Sequence, residues 1–105
     1  MGREKHLEYL KKFKKELTKR IPVQKMYLFG SRAWGKPHRW SDFDIIIVSK
    51  KFGTRKSYER SYGFRKYWDI DYPVDFLCYT PKEFNKLKKQ ITIVKEAVEN
   101  GIEIK

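Results

Sequence analysis

Two neighbouring stretches decide how this chain is read: Leu28-Phe-Gly-Ser-Arg-Ala-Trp-Gly35 and Ser41-Asp-Phe-Asp-Ile-Ile-Ile-Val-Ser49. In the second, the β-branched run from Ile45 to Val48 marks a buried strand. Asp42 and Asp44 stand two apart at its start, so on an extended backbone their side chains project from one face, roughly 6 to 7 Å apart. Phe43, Ile45 and Ile47 take the opposite face, into a core, and that alternation fixes the register. Acids at the mouth of a buried strand repel each other and lose solvation, so they persist where cations neutralise them. Carboxylates suit a hard cation, and Mg²⁺ is usually held by a few carboxylates together with substrate phosphates.

The first stretch reads as a strand, Lys25 to Phe29, stopped by Gly30. Glycine there permits close backbone approach, and the Ser31 hydroxyl with the amides of a starting helix can bind a phosphate. Taken alone, Gly-Ser is simply a turn. A third acid comes from Pro73 to Tyr79, read as a strand in which Val74, Phe76 and Cys78 share one face and Asp75 and Leu77 the other. Asp75 is therefore the candidate partner of Asp42 and Asp44; Asp69 and Asp71, in the loop before Pro73, are its competitors.

Leu7, Leu10, Phe13 and Leu17 recur at three- and four-residue steps among lysines, which predicts an amphipathic helix from Arg3 to Arg20, ended by Pro22. Thr54 to Tyr67 carries Tyr58 and Tyr62 at helical spacing and predicts a second helix, although Gly63 interrupts it. Thr80-Pro-Lys-Glu83 is a capping box with proline at the first helical position. From it Phe84, Leu87, Ile91, Val94 and Val98 continue one apolar face to Asn100-Gly101, read as a left-handed stop. Ile102 to Lys105 is a candidate edge strand. The expected architecture is α/β (α+β): a small mixed β-sheet flanked by helices, in one domain spanning 1–105, since the gap between the first two strands is too short for a crossover helix.

Composition bounds the function classes. The 105 residues allow one small core and one site, and 40% apolar residues suffice to build that core. A net charge of +12 predicts attraction to phosphate-bearing or acidic partners. Cys78 is the only cysteine and His6 and His38 the only histidines, so neither a disulfide nor a four-coordinate zinc site is expected. No apolar run suits a signal peptide or membrane span, which predicts a cytoplasmic protein. Lys50 to Tyr72 mixes aromatic and basic residues, a composition that can stack bases and hold phosphates or simply pack a helix on the sheet.

Leu28-Phe-Gly-Ser-Arg-Ala-Trp-Gly35 followed by Ser41-Asp-Phe-Asp44 resembles the signature of the minimal nucleotidyltransferases of the DNA polymerase beta superfamily. The resemblance continues through Val74-Asp-Phe-Leu77, Thr80-Pro-Lys-Glu-Phe84 and Glu96-Ala-Val-Glu-Asn-Gly101, so it spans the chain from Met26 onward. It implies a nucleotidyltransferase fold, nucleotide binding at Gly30 and Ser31, and two Mg²⁺ ions on the catalytic acids Asp42, Asp44 and Asp75. Trp34 and Phe43 differ from the commonest family residues; Arg32, Lys36 and Arg39 are nearby cations able to substitute at the phosphates.

The activity expected from that resemblance is transfer of AMP from ATP, or of a nucleotide from another nucleoside triphosphate, to a hydroxyl of a partner protein. In that family the partner is typically a HEPN-domain protein of a toxin–antitoxin pair. Two alternatives stand beside it: a catalytically weak module that neutralises a HEPN partner by masking it, and nucleotide addition to, or binding of, RNA. Acceptor identity, base preference and oligomeric state stay open at this stage.

Overall fold

A computed structural model describes residues 3–34 and 42–105. Helix α1, Arg3–Thr18, has Leu10, Phe13 and Leu17 almost wholly buried and its lysines outward, the amphipathic division its spacing predicts. It ends at Thr18, before Arg20 and Pro22, in a turn closed by backbone bonds from Arg20 and Ile21 to Leu17. Strand β1, Lys25–Phe29, leads into a single helical turn, α2, Ser31–Trp34. Strand β2 is Phe43–Val48, with Asp42 and Ser49 just outside its ends, and β3 is Val74–Tyr79. Helices α3, Pro81–Leu87, and α4, Ile93–Asn100, precede the short strand β4, Ile102–Glu103.

The four strands form one sheet in the order β3-β2-β1-β4. Strand β1 pairs antiparallel with both β2 and β4, whereas β2 and β3 are parallel, so the sheet is mixed as its connection lengths require. One face, bearing Phe43, Ile45 and Ile47, packs on Leu10, Phe13 and Leu17 of α1. The other, bearing Tyr27, Phe29, Ile46 and Val48, packs on Phe84, Val94 and Ala97 of α3 and α4. Burying each such side chain contributes roughly 1.5–3 kcal/mol, so β2, apolar on both faces, anchors the fold.

Three sequence expectations are corrected. Residues 54–67 form no α-helix: the connection from β2 to β3 is built of 3-10 turns at Lys50–Thr54, Ser57–Glu59 and Phe64–Tyr67. Gly63, at φ +86°, adopts the left-handed conformation that breaks a helix, and short backbone bonds such as Phe64 N–H to Ser61 O replace the α-helical ladder. The apolar face drawn from Phe84 to Val98 belongs to two helices: Thr92 caps α4 by accepting from Lys95 N–H, and Ile91 is 99% exposed between the helices. Gly101 is not left-handed, having φ −83°. It is close-packed instead, because a Cβ there would meet the carbonyl oxygens of Ala97 and Leu28.

The capping box at Thr80 is present in both directions: Thr80 N–H donates to Glu83 Oε1 at 2.8 Å, and Glu83 N–H donates to Thr80 Oγ1 at 3.2 Å. Among the described residues no helix is long and apolar enough to cross a membrane.

Candidate functional site

The site follows from the pairing of three strands. Asp44 lies opposite Phe29 of β1 on one side and beside Asp75 of β3 on the other. In-register residues of adjacent strands point to the same face, and such strands lie about 4.8 Å apart, so the Asp44 and Asp75 carboxylates emerge side by side. The core partition agrees: Phe43 and Val74 belong to the α1 face, which leaves Asp44 and Asp75 on the face of Ile46 and Leu77. Asp42 adjoins the start of β2, two residues from Asp44, and is exposed like Asp75; Asp44 is half-buried.

Gly30 completes this end of the sheet. Its φ of +78° is left-handed, and a Cβ built on it would collide with the Asp44 carboxylate, so the bend and the acid occupy adjoining space that only glycine allows. Ser31 then opens α2, and Ala33 N–H closes the turn on Gly30 O at 3.0 Å. The side chains of Ser31 and Trp34, and all of Lys36, His38 and Arg39, lie outside the described residues.

Electrostatics mark Asp44 as the centre of the cluster. Burial raises its pKa above the ordinary carboxylate value, and the charges of Asp75 and Asp42 push it further in the same direction. Among the described residues none of these three acids takes part in an ion pair. Their mutual repulsion is what a divalent cation or a metal-bound polyphosphate would relieve. No three His, Cys, Asp or Glu side chains among the described residues stand in a ready metal-holding arrangement. A hard ion held at these carboxylates would take the rest of its ligands from water and phosphate, as Mg²⁺ commonly does.

The competitors of Asp75 are placed elsewhere. Asp69 Oδ1 accepts from the Tyr9 hydroxyl at 3.2 Å, and the Asp69 N–H donates to the same hydroxyl, so this acid ties the loop before β3 to α1. Asp71 is exposed in that loop. Beside Asp75 lies a hollow of about 380 Å³ whose lining includes Ser61, Tyr62, Gly63 and Arg65. A larger hollow, about 620 Å³, lies away from the acids, along α1.

A cage of His6, Phe43 and Tyr72 around Arg32, and an arginine pair behind β3, which sequence reasoning missed, support the site from behind. Arg32, a candidate phosphate contact, is buried with its guanidinium 4.5 Å from the Phe43 ring centre and 4.6 Å from that of Tyr72. His6 of α1 meets both rings edge-on, and burial, followed by the Arg32 charge, lowers its pKa. This cage links α2, which follows the bend, to Phe43, which separates Asp42 from Asp44, and to Tyr72 ahead of Asp75. Arg60 donates to Glu83 Oε1 at 2.6 Å and to Cys78 O at 3.1 Å, while Arg65 donates to Val74 O at 3.4 Å, so two arginines hold the outer edge of β3. Neither set carries a sequence signal, since each joins residues far apart in the chain. Cys78 is half-buried, and its thiol is pushed up to about 12 by burial, which makes it inert as a nucleophile.

Comparison with known proteins gives this geometry its context. Residues 10–100 match the family described as Nucleotidyltransferase domain. A relative from Haemophilus influenzae, named "Probable protein adenylyltransferase MntA", is 26% identical over 92 residues, covering 83% of this chain and 78% of its own. A crystal structure from Sulfolobus solfataricus, assigned to a nucleotidyltransferase, superposes with a TM-score of 0.66 at 24% identity, over 96% of this chain and 80% of its own; that likeness concerns the fold alone. The family match spans the bend, all three acid-bearing positions and the helices behind them, and the chain belongs to the nucleotidyltransferase domain family.

Proposed function

We propose that this nucleotidyltransferase moves AMP from ATP to a hydroxyl group of a partner protein, with Asp42, Asp44 and Asp75 as catalytic acids and Gly30 and Ser31 as the triphosphate-binding bend. The observation that carries the assignment of residues is the register that sets Asp44 beside Asp75, with Gly30 against the Asp44 carboxylate. The similarity to a protein named as an adenylyltransferase supports a protein acceptor. A HEPN-domain protein of a toxin–antitoxin pair is the partner implied by the resemblance of residues 28–44 to the minimal nucleotidyltransferases.

Residues of the chain divide the work by position. Gly30 lets the backbone bend tightly around the Asp44 carboxylate, and the amides that open α2 would receive a phosphate beside it. Asp44 and Asp42 supply hard oxygen donors, and bound Mg²⁺ would offset the negative charge developing on the phosphoryl oxygens. Asp75, exposed at the outer strand, would complete the set of metal-holding acids and, while ionised, take the proton of the acceptor hydroxyl. The hydroxyl oxygen forms a bond to the α-phosphorus, the bond from that phosphorus to the bridging oxygen breaks, and pyrophosphate carries off the electron pair.

The test is transfer of label from α-labelled ATP to a co-purified partner in Mg²⁺, for the natural chain and for Asp44→Asn and Asp75→Asn. Label should appear on the partner with the natural chain and fall at least ~100-fold in each variant, the loss usual for removing a charge-stabilising group. A partner that is neutralised equally by both variants, without any label, would replace catalysis by masking.

A further inference from the structure

Four hollows follow one another in a band from α1 to the outer edge of β3, each sharing lining residues with the next. The first, against the second half of α1, is lined by Lys11, Lys14, Lys15 and Lys19 together with Lys105. Lys15 and Lys19 are shared with a second hollow, which reaches Tyr67. Tyr67 is shared with a third, which adds Arg20, Arg55 and Lys66. Tyr62 and Gly63 are shared with the fourth, which ends at Asp75. Ten Lys and Arg side chains line the band against three carboxylates, Glu16, Asp69 and Asp75. Glu16 is held by Lys19 at 3.1 Å and Asp69 by the Tyr9 hydroxyl, so their charges are partly engaged already.

Two features select among anionic partners. Successive hollows of about 620, 430, 240 and 380 Å³ suit a ligand with repeating units better than one compact molecule. Tyr62 is 67% exposed at the junction of the third and fourth, a large ring with no core role, and Tyr58 of the same segment is 65% exposed. A cationic groove with open aromatic rings is the arrangement that holds single-stranded nucleic acid, through phosphates on the cations and bases on the rings. An acidic peptide would use the cations and leave the rings idle.

We propose that this band is a docking surface for single-stranded nucleic acid, running from Lys105 and α1 past Tyr67 and Tyr62 to the hollow beside Asp75. It goes beyond the transfer of AMP and is separable from it, because binding is measured without ATP and with Asp44→Asn as readily as with the natural chain.

The experiment is fluorescence anisotropy with a labelled, unstructured oligoribonucleotide. Affinity should fall at least ~10-fold as salt rises from about 50 to 200 mM, the signature of counterion release. The pair Lys15→Glu and Lys19→Glu should weaken binding at least ~10-fold. The pair Lys82→Glu and Lys89→Glu, exposed outside the band and identical in net charge, should weaken it less than ~3-fold. Tyr62→Ala should cost about fivefold or more, the stacking of one base. Circular dichroism checks that each variant folds. Equal losses for the two charge-reversed pairs, or none for Tyr62→Ala, overturn the proposal. Polyglutamate bound as tightly as RNA overturns it in favour of an acidic protein segment.

Discussion

The α-carbon of Gly30 lies against the carboxylate of Asp44, with no space between them for a β-carbon. Gly30→Ala therefore meets two obstacles, the collision and a φ of +78°. It should destabilise the protein by about 1–3 kcal/mol and displace Asp44. Urea unfolding reads the first effect and label transfer the second; a fully stable, fully active alanine variant would remove the bend from the site.

Asp44→Asn should separate stability from activity. The Asp44 pKa is raised by burial and by Asp75 and Asp42, so its ionised form is penalised on folding. The sign follows: the carboxyl favours the folded state while protonated, and that contribution is lost as pH rises through its raised pKa. At neutral pH the ligand-free asparagine variant should melt no lower than the natural chain, and somewhat above it, while transfer fails. The difference in melting temperature should shrink as pH falls into the carboxylate range. A clear drop in melting temperature at pH 7 would contradict this reading.

Glu83 behaves in the opposite sense. Its hydrogen bond from Arg60, with the capping bond from Thr80 N–H, lowers its pKa below 4.5. Stability from this group is complete above its unfolded pKa and is lost as pH falls through the lowered folded value. Glu83→Gln should cost about 1–2 kcal/mol near neutrality, a figure moderated by the 43% exposure of the glutamate side chain. Denaturation curves of the two proteins should converge well below pH 4.5.

Arg32→Met keeps much of the volume of the cage and removes its charge. The loss of two ring contacts by a desolvated cation should cost about 1–2 kcal/mol. His6, freed of the Arg32 charge, should titrate at higher pH, which proton NMR of its ring would follow. Unchanged His6 titration would show that the two groups are electrostatically independent.

What the sequence showed plainly was local. Strand β1, the core of β2 and the alternation of β3 are written in consecutive residues, and so is the Thr80 capping box, because strand period and cap chemistry need only a few neighbours. The placement of Gly30, Asp44 and Asp75 at one end of the sheet follows from those strands once β2 and β3 pair. What stayed hidden needed distant partners. Ile91 keeps the apolar period of its neighbours yet lies in solvent, because Thr92 starts a new helix there. Tyr58 and Tyr62 share a helical spacing, but the chain takes 3-10 turns fitted around Phe64 and Trp68, whose rings enter the core. The joining of His6, Arg32, Phe43 and Tyr72 brings together four separated segments, and no spacing rule announces it.

The parallel pairing of β2 and β3 separates the distance between Asp44 and Asp75 from the length of chain that connects them. Interstrand hydrogen bonds hold that distance, whereas residues 49–73 make a long excursion, anchored in the core by Phe52, Phe64 and Trp68, whose closure entropy changes only slowly with length. Changes confined to its exposed turns, around Tyr58 and Tyr62, that keep those anchors would leave the two acids where they are. The scaffold thus has a segment on which new recognition can be tried while the reaction chemistry is left undisturbed.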